Sequence, residues 1–225
     1  MRLRSVTADD EVRSFRLRQT IETAYRDMPE ARSVATLQTA ARRDPAAVLT
    51  TQTVDGGTPT ATLILPSGLW TRTGETWTPA DIGELPGDWA LGAYRELGEM
   101  SLVAPLTAQE VIDAGDPAGT EEIDSISATC ITAGTELMLR LLMADYTAAN
   151  RSDHDPAPPD SYINRYEARF WIDPDTGFIL RERTVVEYTE ERLHGASVGT
   201  GPATFTTTRE FYDFNADLDI PEPGQ

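Results

Sequence analysis

Asp173-Pro174-Asp175-Thr176-Gly177 spaces two carboxylates and a glycine as the head of a calcium loop does. Calcium needs six to eight oxygen ligands at fixed spacing, but Phe178, Ile179 and Leu180 follow at once and offer none. Asp213, Asn215 and Asp217 imitate the start of an EF-hand loop. There Leu218 stands where the glycine belongs and Gly224 where the bidentate glutamate belongs. Asp153, His154 and Asp155 could touch a metal, yet a single histidine in a proline-rich loop is usually just solvated. No metal and no cofactor is expected. Catalytic sets are equally thin: the chain has two histidines, one cysteine and no lysine among its nineteen basic residues. A Schiff-base lysine and a phosphate-loop lysine are therefore excluded. No Ser–His–Asp set is identifiable, and nothing marks two of the many acids as a working pair. No catalytic residue is assigned, and the chain is not expected to be an enzyme.

The remaining function classes are narrowed by charge. A net charge of −18 repels phosphate backbones, so nucleic acid is not an expected partner. The first 43 residues run the other way, with nine arginines and six acids. Such a segment could sit near anionic lipid headgroups, or its arginines could simply solvate a helix. Cys130 lies in a strand-like run, where a small buried thiol is the expected state. No apolar stretch is long enough to span a bilayer. The opening MRLRSVTADDEV has a basic start without a hydrophobic region, so no signal peptide is expected.

Elements that would position any site follow from periodicity. Residues 1–28 are expected to hold an N-terminal helix, capped by Thr7 and ended by Pro29, with Leu17, Ile21, Ala24 and Met28 as its apolar stripe. A meander of short strands is expected over 33–78, punctuated by Asp55-Gly56-Gly57, Pro66-Ser67-Gly68 and Gly74-Glu75. Helical character is expected over 79–119, then a strand in EEIDSISATCITA. The helix 136–149 is apolar around most of its circumference and must be covered on more than one side. Three strands follow, at about 162–173, 178–190 and 202–213, then a short extended piece before Pro221 and Pro223. Alternation on both sides of Asp173–Gly177 predicts a hairpin, so that motif is read as a turn. Tyr166, Ala168, Phe170 and Ile172 share one side; Phe178, Leu180, Thr184, Val186 and Tyr188 share a side with Glu182. A single domain over 1–225 is expected.

RFWIDPDTGFILRERTVVEYT followed by TFTTTREFYDFNADLDIPEP resembles the C-terminal half of the actinobacterial LppX/LprA/LprF/LprG lipoprotein family, relatives of the LolA-type carriers. The likeness rests on Trp171, Asp173 and Gly177 at the hairpin and on Arg181 and Arg183 in the next strand. It continues through Phe211, Tyr212, Phe214, Leu218, Ile220 and Pro221 or Pro223. Upstream, ATLILPSGLWTRTGETWTP looks like the family's strand pair leading to an exposed tryptophan, here Trp77. AGTEEIDSISATCITA looks like its G-x-E-x-v-d-G strand with Ser125 in place of the glycine.

The resemblance implies an α+β fold in which a strongly curved antiparallel β half-barrel wraps around helices. It also implies an apolar cavity that receives acyl chains of a lipid or lipidated molecule. The expected place is the extracytoplasmic cell envelope, if a signal peptide and lipobox were trimmed ahead of residue 1. Membrane association would then be peripheral or through a lipid anchor, with an envelope transporter or regulatory protein as a further partner. Candidate lining residues are Leu137, Met138, Leu141, Leu142 and Tyr146 on the helix, faced by Phe170, Ile172, Leu180 and Val186. The same nine would be ordinary core residues if the helix simply fills the space. Two functions stay open: a carrier of lipids or lipoproteins, and a closed LolA-like sensor module that binds a protein such as an anti-sigma regulator through its acidic surface.

Overall fold

The computed structural model describes residues 12–28, 30–80, 111–149 (side chains to 144), 159–189 and 202–223. Its strands are β1 (Ser14–Tyr25), β2 (Ser33–Arg43), β3 (Ala46–Val54), β4 (Thr60–Leu65), β5 (Gly68–Thr73), β6 (Trp77–Pro79), β7 (Asp116–Ile123), β8 (Ile126–Ala133), β9 (Ile163–Ile172), β10 (Ile179–Tyr188) and β11 (Ala203–Tyr212). All belong to one open eleven-stranded sheet, in the order β6-β5-β4-β3-β2-β1-β11-β10-β9-β8-β7. Every pairing is antiparallel. Two meanders therefore meet in the middle, where β1 pairs with β11 through ten residue partners from Arg16↔Tyr212 to Tyr25↔Ala203. A helix, α1 (Thr135–Ala149), lies against β9 and against the 3₁₀ turn Pro159–Ser161.

The sheet has two unlike faces. The helix face gathers Phe15, Leu17, Ala41, Val48, Ile64, Leu69, Phe170, Ile172 and Phe211 around Met138 and Leu141 of α1. The opposite face receives the C-terminal tail, whose Leu218 and Ile220 pack on Ala40, Ala47 and Leu63. That tail is not a further strand; it crosses the sheet as irregular chain. Ser14 and Arg42 hold it, through Ser14 Oγ to the Ala216 carbonyl (2.6 Å) and Arg42 Nη1 to the Leu218 carbonyl (3.2 Å).

The expected N-terminal helix is overturned over 14–25, where the chain is the strand β1. Phe15, Thr20, Ile21, Thr23 and Tyr25 are β-branched or aromatic and suit a pleated surface better than a helix. Tertiary pairing on both edges then decides the matter, since β1 is central and β2 and β11 satisfy its backbone. The proposed cap at Thr7 and stop at Pro29 lie outside the described residues.

Most of the expected helical segment 79–119 also lies outside them. Residues 111–114 are helical, whereas 116–119 already belong to β7. The strand expected in EEIDSISATCITA is two strands: Asp124 (φ 48°) and Ser125 (φ 69°) make a two-residue turn between Ile123 and its partner Ile126. Both central residues have positive φ, as this hairpin class requires, and glycine is favoured there. Ser125→Gly is therefore expected to stabilise the protein by about 1 kcal/mol, read as a higher denaturant midpoint at unchanged slope.

Candidate functional site

The Asp173 motif is a turn. Gly177 N–H donates to the Asp173 carbonyl (2.8 Å) and Asp173 N–H to the Phe178 carbonyl (2.9 Å), while Gly177 takes φ 77°. The Asp173 carboxylate is engaged within the loop, accepting from Asp175 N–H (2.9 Å) and Thr176 Oγ1 (2.7 Å). It thereby fixes an Asx-type turn. Asp213 and Asn215 of the second motif both take positive φ, and Asn215 Oδ1 accepts from Arg13 N–H at 2.6 Å. His154 and its neighbours lie outside the described residues. Among the described residues no group of three or more His, Cys, Asp or Glu side chains could hold a metal ion. Cys130 is buried, and desolvation raises its thiol pKa against a smaller lowering by Arg169, so it stays a thiol.

The helix side of the sheet is where the lining candidates converge. Met138 and Leu141 are buried in the same cluster as Phe170 and Ile172, with Leu137 partly buried against it. Leu139, Leu142 and Met143 remain half-buried on α1. Val186 shares the helix face, half-buried in a row with Phe205 and Tyr166, beyond the main cluster. The side chain of Tyr146 lies outside the described residues. Leu180 is a correction: it packs with Trp171 and Cys130 on the tail face. A bulge between Ile179 and Arg181 breaks the two-residue period, so Ile179 takes the helix face and Leu180 turns away. Trp77, expected to be exposed, is half-buried against the tail-face cluster, with the Arg72 guanidinium 4.7 Å from its ring centre.

Polar groups interrupt the helix face. Glu182 is 5% exposed and lies in the row of Phe170 and Ile131. Its carboxylate accepts from Arg209 Nη1 at 3.2 and 3.1 Å. Thr39 and Thr50, both buried and directly opposite on β2 and β3, share a hydroxyl hydrogen bond at 3.0 Å. Sequence alternation marks Glu182 as a charge on an apolar side, but its partner, 27 residues away in another strand, has no local signal.

Two grooves among the described residues lie elsewhere. One, of about 390 Å³, runs beside the tail between Trp70, Pro45, Leu65 and Ile220. The other, of about 220 Å³, lies at the rim formed by Tyr25, Arg26, Tyr188 and Pro202. At that rim Tyr188 stacks on Tyr162 (centroids 6.2 Å apart) and meets Phe205 edge-on (5.5 Å), and burial raises the pKa of its phenol. Among the described residues no helix is long and apolar enough to cross a membrane.

No protein-family model matches the chain, and no curated protein matches it. Among solved structures, the chain is similar to the crystal structure of the Mycobacterium tuberculosis lipoprotein LppX. That match has 15% sequence identity and a TM-score of 0.43, and it covers 92% of this chain and 89% of that one.

Proposed function

We propose that this chain is a non-catalytic carrier of the cell envelope that holds acyl chains of a lipid or lipidated molecule between α1 and the sheet. The observation that carries the reading is the surplus of hydrocarbon on α1. Met138 and Leu141 are buried in the core, while Leu137, Leu139 and Leu142 stay only half-buried on an element already docked on β9. A soluble helix normally keeps its unburied positions polar. The sheet favours the same reading, because open sheets of this width seldom stay flat, and a curled sheet around α1 leaves room along the helix. Each methylene removed from water contributes about 0.8 kcal/mol, so a chain binds there without a dedicated polar contact. Methionine lets such a lining adapt to different chains. The family resemblance at Trp171, Asp173, Gly177 and the strands after them points the same way. The proposed lining among the described side chains is Leu137, Met138, Leu141, Leu142, Phe170, Ile172 and Val186. An extracytoplasmic place, anchored or peripheral, is part of the proposal.

A second reading, a sensor module for a basic protein partner, is favoured by β7. This edge strand exposes every residue but Ile123 and carries Asp116, Glu121 and Glu122. Organic extraction of protein purified without detergent, followed by mass spectrometry, separates the two. Co-purifying lipid supports the carrier, and its repeated absence supports the module. Leu142→Trp, at a half-buried position of α1, sharpens the result. For a carrier the variant should lose most of its bound lipid with its melting temperature nearly unchanged. A filled core would instead lose about 1–3 kcal/mol of stability.

A further inference from the structure

On β1, β10 and β9 the tail face carries six arginines, and four of them are matched to acids. Arg16 pairs with Asp213 (3.3 Å), Arg18 with Glu210 (3.7 Å), and Arg181 with Glu210 (2.9 Å) and Glu121 (3.5 Å). Arg165 takes Glu167 (2.6 Å) and Glu187 (3.2 Å). Arg169 and Arg183 are the exceptions. They stand directly opposite each other on β9 and β10, both exposed, and among the described residues neither has a carboxylate within 4.0 Å. Glu167, the nearest acid along β9, is hydrogen-bonded by Arg165, which lowers its pKa, and the charge of Arg183 lowers it further from beyond ion-pair distance.

Like charges directly opposite on a sheet repel and destabilise it. A chain with 37 acids and 19 basic residues has carboxylates enough to neutralise them, and does so for their neighbours. Arg169 also has an aromatic neighbour: its guanidinium lies 5.7 Å from the ring centre of buried Trp171, and that of Arg181 lies 5.5 Å from the same ring centre. Thr208 and Thr132 extend the row on either side, and the Thr132 hydroxyl donates to the Asp116 carbonyl at 3.3 Å.

We infer that Arg169 and Arg183 form an anion clamp for a phosphate group, presented on the face opposite α1. Two planar guanidinium forks directly opposite each other on adjacent strands can both donate N–H groups to one tetrahedral oxyanion, which such forks suit better than a point charge does. The clamp acts at contact range. Beyond about 8 Å at physiological salt its field is screened, and the overall charge of −18 gives no attraction from afar. Both a phospholipid headgroup and a soluble phosphate ester carry this chemistry. The site is independent of the lipid-carrier reading, since it occupies the other side of the sheet.

The test is a titration of the whole protein with inorganic phosphate against chloride at matched ionic strength, following arginine Nε–H resonances. Saturable shifts at Arg169 and Arg183 are expected with phosphate alone, and affinity should fall at least tenfold in Arg169→Gln and in Arg183→Gln. Arg183→Lys, which keeps the charge and loses the fork, should also bind several-fold more weakly. Neither glutamine variant should melt below the parent at low salt, because each relieves repulsion. Sedimentation with phosphatidylcholine vesicles, with and without phosphatidic acid, identifies the source. Co-sedimentation that needs both arginines and phosphatidic acid marks a headgroup, and a response to inorganic phosphate without co-sedimentation marks a soluble ester. Shifts that chloride reproduces, or a double glutamine variant that binds phosphate like the parent, would overturn the clamp.

Discussion

Replacing Glu182 with alanine is expected to destabilise the protein by about 3 kcal/mol, measured by denaturant unfolding. Removing one partner of a buried ion pair leaves the other charge in a poorly solvated site, which costs about 3–5 kcal/mol. The lower end applies because Arg209 keeps a quarter of its side-chain surface in water, against 6% for Glu182. Arg209 has little in reserve: its Nε is buried without a partner, and Nη1 makes both bonds to the lost carboxylate. Its cross-strand neighbour on β1 is Gln19, which brings no charge to replace it. The double variant Glu182→Leu with Arg209→Met is expected to recover most of the loss, since apolar residues of similar volume replace such pairs with little cost. Losses that simply add in the double variant would show that the two side chains are not coupled.

What could be read from the sequence, and what could not, follows from which period each segment obeys. The β9–β10 hairpin was legible because apolar residues recur at every second position from Tyr166 to Ile172 and Pro174 and Gly177 mark the turn. β1 was not, because Leu17 and Ile21 are four residues apart. A spacing of four puts two side chains on one face of a helix and equally on one face of a strand. Ala24 is the residue that separates the two patterns: as a helical position it joins the stripe, whereas in the strand it turns outward and is exposed. Leu180 departs from the helix side that alternation predicts for a different reason, since a bulge leaves no mark in a two-residue alternation until its partner strand is known. The helix 136–149 could be seen from its composition alone. Whether its leucines line a space or fill one depends on sheet curvature, which local pattern does not encode. The facing of Arg169 and Arg183 was hidden for the same reason as the Glu182–Arg209 pair, because it is a property of register and not of either segment.

Gly115→Ala should cost about 3 kcal/mol, and steric conflict rather than backbone conformation is the cause. A methyl group there would lie 2.3 Å from the Val111 carbonyl oxygen and 2.8 Å from both Ile131 Cγ2 and the Thr132 carbonyl oxygen. The isoleucine methyl can rotate away, but the two carbonyls are backbone. One belongs to the helical turn at 111–114 and the other to β8, so relief requires moving an element. That movement would draw Val111, fully buried in the cluster that holds Met138 and Leu141, out of the helix-face core. Overpacking usually costs about 1–3 kcal/mol, and the upper end follows where the obstacle is main chain. Gly119→Ala is the control. Gly119 has φ 96° with nothing within 4 Å of an added Cβ, so alanine there meets conformational strain alone and should cost about 1 kcal/mol. Equal losses in the two variants would place the burden on backbone freedom. A clearly larger loss at Gly115 would show that close approach of the 111–114 turn to β8 fixes that side of the helix-face core. Under the carrier proposal, the same variant should also lose bound lipid, because the displaced turn borders the residues proposed to line the chain site.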